Sequence, residues 1–499
     1  MKGLLHRFDA FLQQLDLRSK RRLTRLLVAA GAVAAAYYFY WWFVPARPLG
    51  PWQLAGLASM LLYATLQLFF SWYAYLRIVI PAPREAPAGL GVDLFVPVYR
   101  ESPELVERAL LAAIAIRYPH RTWLLDDAGR DEFRELARRL GAEYVRRDTR
   151  DGEKAGNVNH ALALASGEFV AILDVDHLAE PCFLDRLLGH FDAPDIGFVQ
   201  AIVAHRNQTE SLIAKAASGQ ADDVFGPSSM GWHGCGAALV WGAHCTFRRA
   251  ALEAVGGYRV GLAEDLLTSL ALHGAGWRSV YVPEVVARGL VPADLGAYFL
   301  QHLKWSNGVL GTLLGGGLPG VLRLRPSQAV CYLTRMSYYL IGPVVFGHLL
   351  LLLWGLLTGA ELQSYFARAL PLATMAIVIR KVVGAMWEQD PRAGWQLLGT
   401  ALAVSSWPVY LLSLVCAVFR IRIPHLATPK ESRGGDFTLL VLPQLAACLA
   451  LAIAAAVAVR RGQLWSDLVR TTAACGVIAV HIVAFRGVVE GWRRRRGRS

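Results

Sequence analysis

Cysteine is scarce in this sequence and shows no pairing. Its 7 residues are odd in number and scattered, and nowhere form a Cys-x-x-Cys. That argues against a disulfide framework and against a zinc site built from close cysteine pairs. Cys331, Cys416, Cys448 and Cys475 stand in apolar runs, where a thiol behaves as a small buried hydrophobe. Charge is thin as well: 18% of the 499 residues are charged against 55% hydrophobic, and the mean hydropathy is +0.36. This balance argues against a purely soluble protein. No stretch interleaves basic with aromatic residues, so nucleic acid is not expected as a partner despite the formal charge of +13. No small-residue cleavage site follows the first apolar run, which is therefore expected to remain as an anchor.

What is there begins with the placement of the basic residues. Lys2, Arg7, Arg18, Lys20, Arg21, Arg22 and Arg25 precede the first apolar run, and Arg493 to Arg496 with Arg498 follow the last. Such flanks orient a membrane protein and touch anionic membrane lipids. Residues 1–25 read as a cytoplasmic amphipathic segment and 26–80 as two spans, Leu26 to Val44 and Trp52 to Ile80, joined by the turn Pro45 to Pro51. Pro81, Pro83 and Pro87 mark a linker. Residues 90–294 have the texture of a soluble α/β domain, and 295–328 of interface helices. A membrane region over 329–490 holds candidate spans at 329–357, 367–387, 437–459 and 467–490, and a basic tail occupies 491–499. The run 394–419 decides parity. Taken as an interface helix, it leaves six spans, with the loop 420–436 (Arg420, Arg422, Lys430, Arg433) and the tail inside; Arg460 and Arg461 then fall outside and weigh against that choice.

Within the α/β segment, Val92 to Pro97, Arg121 to Leu125 and Glu168 to Leu173 read as buried strands. Pro103 to Ile116, Glu132 to Leu140 and Lys154 to Ala165 read as helices. The alternation predicts a mostly parallel sheet with ligands at the carboxyl ends of its strands. Two acidic pairs sit at such ends. Asp174 and Asp176, two apart, can share a Mg²⁺ or Mn²⁺ with a diphosphate, the bland alternative being a solvated turn. Asp126 and Asp127 suit a base- or ribose-binding carboxylate, or a helix N-cap before Asp131. Lys154 opens a helix, an unfavourable end for a cation, so a phosphate partner is attractive beside a plain surface lysine. Glu264 and Asp265 open another helix and suit a general base, with Asp265 the first choice, or mere dipole complementation. Gln301, Lys304 and Trp305 share one helix face; they suit a clamp on a sugar, or an interfacial aromatic with a snorkelling lysine.

In order, these words stand as Asp126-Asp127-Ala, Lys154-Ala-Gly-Asn157, Asp174-Val-Asp176-His177, Ala263-Glu264-Asp265 and Gln301-x-x-Lys304-Trp305. The set resembles the membrane-embedded family 2 glycosyltransferases, the cellulose, chitin and hyaluronan synthase group, most strongly from Val92 to Gly311. Pro97, Tyr99 and Glu101 resemble that family's nucleotide-contacting first loop, and Trp241-Gly242 before Arg248-Arg249 its acceptor-side segment. The resemblance implies a cytoplasmic GT-A (Rossmann-like α/β) glycosyltransferase domain inserted in a transmembrane helical bundle of about six spans plus interface helices, in the inner membrane. It implies contacts to a UDP-sugar from Pro97, Tyr99, Glu101, Asp126, Asp127, Lys154, Asp174, His177, Gln301, Lys304 and Trp305, and to the acceptor from Trp241, Gly242 and Trp305. Asp174 and Asp176 are the implied metal ligands. The implied activity is processive, inverting β-transfer, with UDP-glucose the first expectation and a β-glucan the product, secreted through the helices. A UDP-GlcNAc-using synthase, one-step transfer to a lipid acceptor, and an export subunit with a degenerate domain are the alternatives. A periplasmic or export subunit is an open partner.

Ala263 replaces the family's Thr, and Lys304 its Arg, keeping charge but losing the planar fork. Pro424 to Lys430 only partly resembles the cellulose synthase gating loop, and no cyclic-dinucleotide-binding domain is expected after Trp492.

Overall fold

The computed structural model describes residues 2–42, 50–359, 363–390, 396–421, 423, 434–461 and 464–496. Residues 45–49 of the first turn, the gating-like segment Pro424 to Lys430, and Arg422, Arg433 and Arg498 lie outside this set.

The α/β segment contributes strands β1 (Val92–Val98), β2 (Arg121–Asp126), β3 (Glu143–Arg146), β4 (Phe169–Ile172), β5 (Leu178–Ala179), β6 (Ile196–Ala201), β7 (Ala204–His205), β8 (Cys245–Arg248), β9 (Arg278–Val282) and β10 (Ala287–Gly289). Seven form one sheet in the order β3-β2-β1-β4-β8-β6-β9, and β5-β10-β7 form a small second sheet. Strands β1 to β4 are mutually parallel, as is β6 with β9. Strand β8 runs against β4 and β6, the one departure from the parallel expectation in the main sheet.

Helices cover both faces of the main sheet, so its central strands are mostly apolar. The pleat divides them between two cores. Leu94, Val96, Phe169 and Ala171 enter one; Phe95, Val170 and Ile172 enter the other. The register pairs Val98 with Asp126, and Phe95 with Ile172, so the chain segments after β1, β2 and β4 all leave at the same edge.

Among the described residues, six helices are long and apolar enough to cross a membrane: Leu17–Trp41 and Leu54–Leu76 before the sheet, and Pro326–Thr358, Arg368–Met386, Thr438–Arg460 and Thr472–Arg496 after it. The protein is a multi-pass membrane protein. The single helix expected over 394–419 is instead two, Leu397–Ser405 and Trp407–Val418, bent by 49°. Pro408 follows the break; it has no N–H to donate and its ring would crowd the preceding turn. The first arm lies against the helix Leu212–Asp223 so closely that a Cβ on Gly399 would stand 2.2 Å from the Gln220 nitrogen.

Asp93 interrupts the apolar run of β1, and its carboxylate is fully buried. It accepts from Trp123 Nε1 at 2.8 Å, from the Gly167 and Ser166 amides at 2.6 and 3.1 Å, and pairs with Arg121 at 2.9 Å. Replacing it strands a buried indole N–H and two amides. We expect Asp93→Ala to cost about 3–5 kcal/mol, read as a lowered melting temperature of the detergent-solubilised protein. A melting curve identical to wild type would contradict this account of β1.

Candidate active site

A cavity of about 950 Å³ opens at the carboxyl edge of β1, β2 and β4. Of the sequence-predicted residues it is lined by Pro97, Tyr99, Glu101, Asp127, Lys154, Asp174, Asp176, His177, Trp241, Gly242, Glu264, Asp265, Gln301, Lys304 and Trp305. Asp126 does not join them. Its carboxylate, 0% exposed, accepts from the amides of Ala128, Gly129 and Arg130 at 2.9, 3.0 and 2.7 Å and from the Tyr144 hydroxyl at 2.9 Å. Three of those bonds brace the turn after β2 and the fourth ties it to β3, so the Asp126 carboxylate is engaged within the protein and stands outside the cavity lining.

Asp127 is reached by a two-pronged Arg147 contact, at 2.6 and 2.8 Å, with both side chains nearly buried. Arg147 also donates to the carbonyls of Asp151 and Glu153. It therefore brackets the start of the helix Glu153–Leu164, which carries Lys154. The Lys154 ammonium lies 2.5 Å from Asp174 Oδ1 and 2.7 Å from the Gly242 carbonyl. Burial pulls its pKa down, but Asp174, Glu264 and Asp265 outweigh burial and raise it, so the cation is secure.

The ligand-capable atoms of Asp174, Asp176 and His177 lie within 4.8 Å of one another. Two carboxylates and an imidazole at that spacing are a donor set suited to a divalent cation. His177 also donates its backbone N–H to the Asp174 carbonyl at 2.8 Å, closing a turn that keeps the three side chains together.

Glu264 and Asp265 open the helix Glu264–Gly274. Burial raises the pKa of both; Lys304, then Lys154, opposes it at Glu264, and Arg335 and Lys154 do so at Asp265. Asp265 Oδ1 accepts its neighbour's amide, Leu266 N, at 2.7 Å. The space between base-like carboxylate and ammonium belongs to Gly242, at φ +80°: a Cβ there would stand 3.7 Å from Lys154 Nζ and 3.9 Å from Asp265 Oδ2. The helix Leu295–Thr312, capped by Asp294, presents Gln301, Lys304 and Trp305 to the cavity, and Trp305 is 40% exposed. The Trp241 ring stacks on Trp232 at 6.0 Å and lies under the Arg335 guanidinium at 5.6 Å. Its buried Nε1 has no hydrogen-bond partner among the described residues.

Sequence reasoning missed Arg147, His244 and Arg335. Arg147 carries a weak local signal, standing seven residues before Lys154 in a turn-rich segment. His244 and Arg335 carry none, because their partners are distant in the chain.

Residues 87–308 match the family model described as "Glycosyltransferase like family 2". Among curated proteins the chain is 32% identical to cellulose synthase 2 of Novacetimonas hansenii over 299 residues, 56% of this chain and 18% of that one. It is 31% identical to the UDP-forming cellulose synthase catalytic subunit of Xanthomonas axonopodis pv. citri over 310 residues, 58% of this chain and 41% of that one. The chain thus spans well under half the length of these relatives. Among solved structures, the mannosyltransferase PcManGT from Pyrobaculum calidifontis, in complex with GDP-Man and Mn²⁺, superposes with a TM-score of 0.50 at 19% identity, covering 74% of this chain and 99% of that one. That likeness shows the shared GT-A fold.

Buried like charges cannot all ionise at once. We expect the Glu264/Asp265 pair to retain a proton above the ordinary carboxylate range of about 4 and to release it as pH rises. An infrared titration of the carboxylic C=O band in wild type, minus that of a Glu264→Gln/Asp265→Asn double variant, measures it. A pair fully ionised within the ordinary range would contradict the raised values.

Proposed function

We propose that this chain, which matches the family 2 glycosyltransferase model over residues 87–308, is a processive, inverting β-glycosyltransferase of the inner membrane, with its catalytic domain in the cytoplasm. It polymerises a UDP-sugar, UDP-glucose first, into a β-glucan and passes the product outward between its helices. One observation carries the step from transferase to polymerase. The cavity that holds the acidic cluster does not end there; it continues among membrane helices, where Tyr63, Trp72, Tyr339, Ile377 and Val480 line it. A growing chain needs such a continuous path, whereas a single transfer at the domain surface does not. Mixed aromatic and polar walls suit a sugar polymer, whose rings have apolar faces and hydroxyl rims. The UDP-forming name of the Xanthomonas relative supports the uridine donor.

In this reading Pro97, Tyr99, Glu101 and Asp127 hold the nucleoside side of the donor. Asp174 and Asp176 hold a Mg²⁺ or Mn²⁺, which when bound supplies positive charge against the leaving diphosphate. Lys154 adds a fixed ammonium on the same side. Asp265 takes the proton of an acceptor hydroxyl; the oxygen bonds to the anomeric carbon as the bond to UDP breaks on the opposite face, inverting the centre. Glu264 is the reserve base, its charge tuned by Lys304. Trp241, Gly242, Gln301 and Trp305 seat the acceptor: Gly242 leaves open space between ammonium and base, and the Trp241 indole N–H offers a donor to a sugar hydroxyl. Six crossings, with the bent pair lying at the interface against the domain helix Leu212–Asp223, keep the Arg493–Arg496 cluster on the cytoplasmic side.

Purified protein incubated with radiolabelled UDP-glucose and Mg²⁺ or Mn²⁺ should yield a ladder of β-glucanase-sensitive products. EDTA should abolish the ladder, and added cation should restore it. A single glycolipid band would replace the polymer reading with lipid transfer, and full activity in chelator would remove the cation from Asp174 and Asp176.

Asp265→Asn should leave UDP binding near wild type and lower turnover by roughly 10²–10⁴-fold, the usual worth of a positioned base. Turnover measured by UDP release decides it; an unchanged rate would pass the role to Glu264.

A further inference from the structure

The imidazole of His177 is held at its edge and on its face, and both contacts bear on which nitrogen it offers to the acidic pair. His244 Nδ1 lies 2.9 Å from the Ile202 carbonyl oxygen, and His244 Nε2 lies 2.6 Å from His177 Nδ1. A carbonyl can only accept, so His244 Nδ1 carries a proton and donates it. His244 is 0% exposed, and burial disfavours the doubly protonated ring. Its Nε2 therefore holds a lone pair and accepts the Nδ1 proton of His177. The lone pair of His177 then resides on Nε2.

The face contact is with Gly289 on β10. A Cβ built there would stand 2.3 Å from both Cε1 and Nε2 of His177 and 2.6 Å from Nδ1. Distances this similar place it over the ring face; a Cβ in the ring plane beyond Cε1 would be much farther from both nitrogens. Gly289 thus supports the ring without obstructing the in-plane direction of the Nε2 lone pair. His244 itself adopts φ +57°, a conformation uncommon for a residue with a side chain and one that persists where surrounding structure enforces it.

We infer that His244 is a positioning residue for the divalent cation: by accepting the Nδ1 proton of His177 it fixes the tautomer and ring orientation that present Nε2, beside Asp174 and Asp176, as a nitrogen ligand. The inference rests on the reading that Asp174 and Asp176 hold that cation. It adds a consequence for selectivity. Mg²⁺ takes oxygen ligands, whereas imidazole suits transition metals, so a fixed imidazole nitrogen shifts this site toward Mn²⁺.

The test uses full-length protein in nanodiscs with UDP, titrated with Mn²⁺ and observed by electron paramagnetic resonance, including the electron spin-echo modulation that a directly bound imidazole nitrogen imposes on Mn²⁺. Wild type should show that nitrogen coupling. His244→Leu, of similar bulk but unable to accept a hydrogen bond, should lose it and bind Mn²⁺ roughly 10–100-fold more weakly. His244→Gln, whose amide oxygen can replace Nε2 as acceptor, should retain both the coupling and an affinity near wild type. Unchanged coupling and affinity in a folded His244→Leu protein would overturn the inference. Mn²⁺ bound to wild type without nitrogen coupling would overturn it with no variant needed. Wild type that binds no Mn²⁺ at all would instead overturn the underlying cation assignment at Asp174 and Asp176.

Discussion

The acidic centre depends on charge balance: Lys154, with Lys304 and Arg335 beside it, offsets the carboxylates gathered there. Asp174, Glu264 and Asp265 all act on Lys154, and carboxylates gathered in a poorly solvated cavity repel one another and resist ionisation. Lys154 relieves that repulsion from a helix end where its charge opposes the helix dipole. It holds that place because Arg147 ties the start of its helix to Asp127. The chain of dependence therefore runs from a strand-end carboxylate, through an arginine bracket, to a cation that joins Lys304 and Arg335 in letting the remaining acids share a site.

Much of this is legible in the sequence, and the reason is local. Strands β1, β2 and β4 are short apolar runs broken abruptly by charge, and that contrast marks both the strand and the edge at which ligands gather. Asp127 and Asp174 could be located for that reason. Asp126 shows where such reading stops: its neighbour lines the cavity, while its own carboxylate is consumed by three amides and by Tyr144, 18 residues away. No pattern in the sequence separates two adjacent aspartates whose fates differ by the direction of a pleat. The segment from β5 to β8 was likewise unreadable. Two of its strands have only two residues, and its helices meet at a kink, Val224–Ser228, where Gly226 leaves helical geometry just before Pro227. His244 is unreadable in the same sense, since its partner lies 67 residues away.

The bent pair shows composition and tertiary packing acting on the same segment. Its two arms are together apolar enough for a crossing, a proline-associated break bends them by 49°, and Gly399 allows the first arm to approach the backbone of a helix from the α/β domain. The approach is possible only because no side chain stands between them, so the contact joins domain to bundle by backbone proximity.

Strand β10 makes a compact connection between bundle and domain. Arg288 reaches out to Asp390, beyond the end of a membrane helix, with bonds of 2.8 and 3.0 Å, while the next residue, Gly289, supports the His177 ring. Successive residues of a strand face opposite sides, so one peptide unit has the bundle on one side and the acidic centre on the other. The ion pair at one residue and the ring contact at the next are a single peptide bond apart, so what fixes Arg288 also limits where Gly289 can stand beside the imidazole.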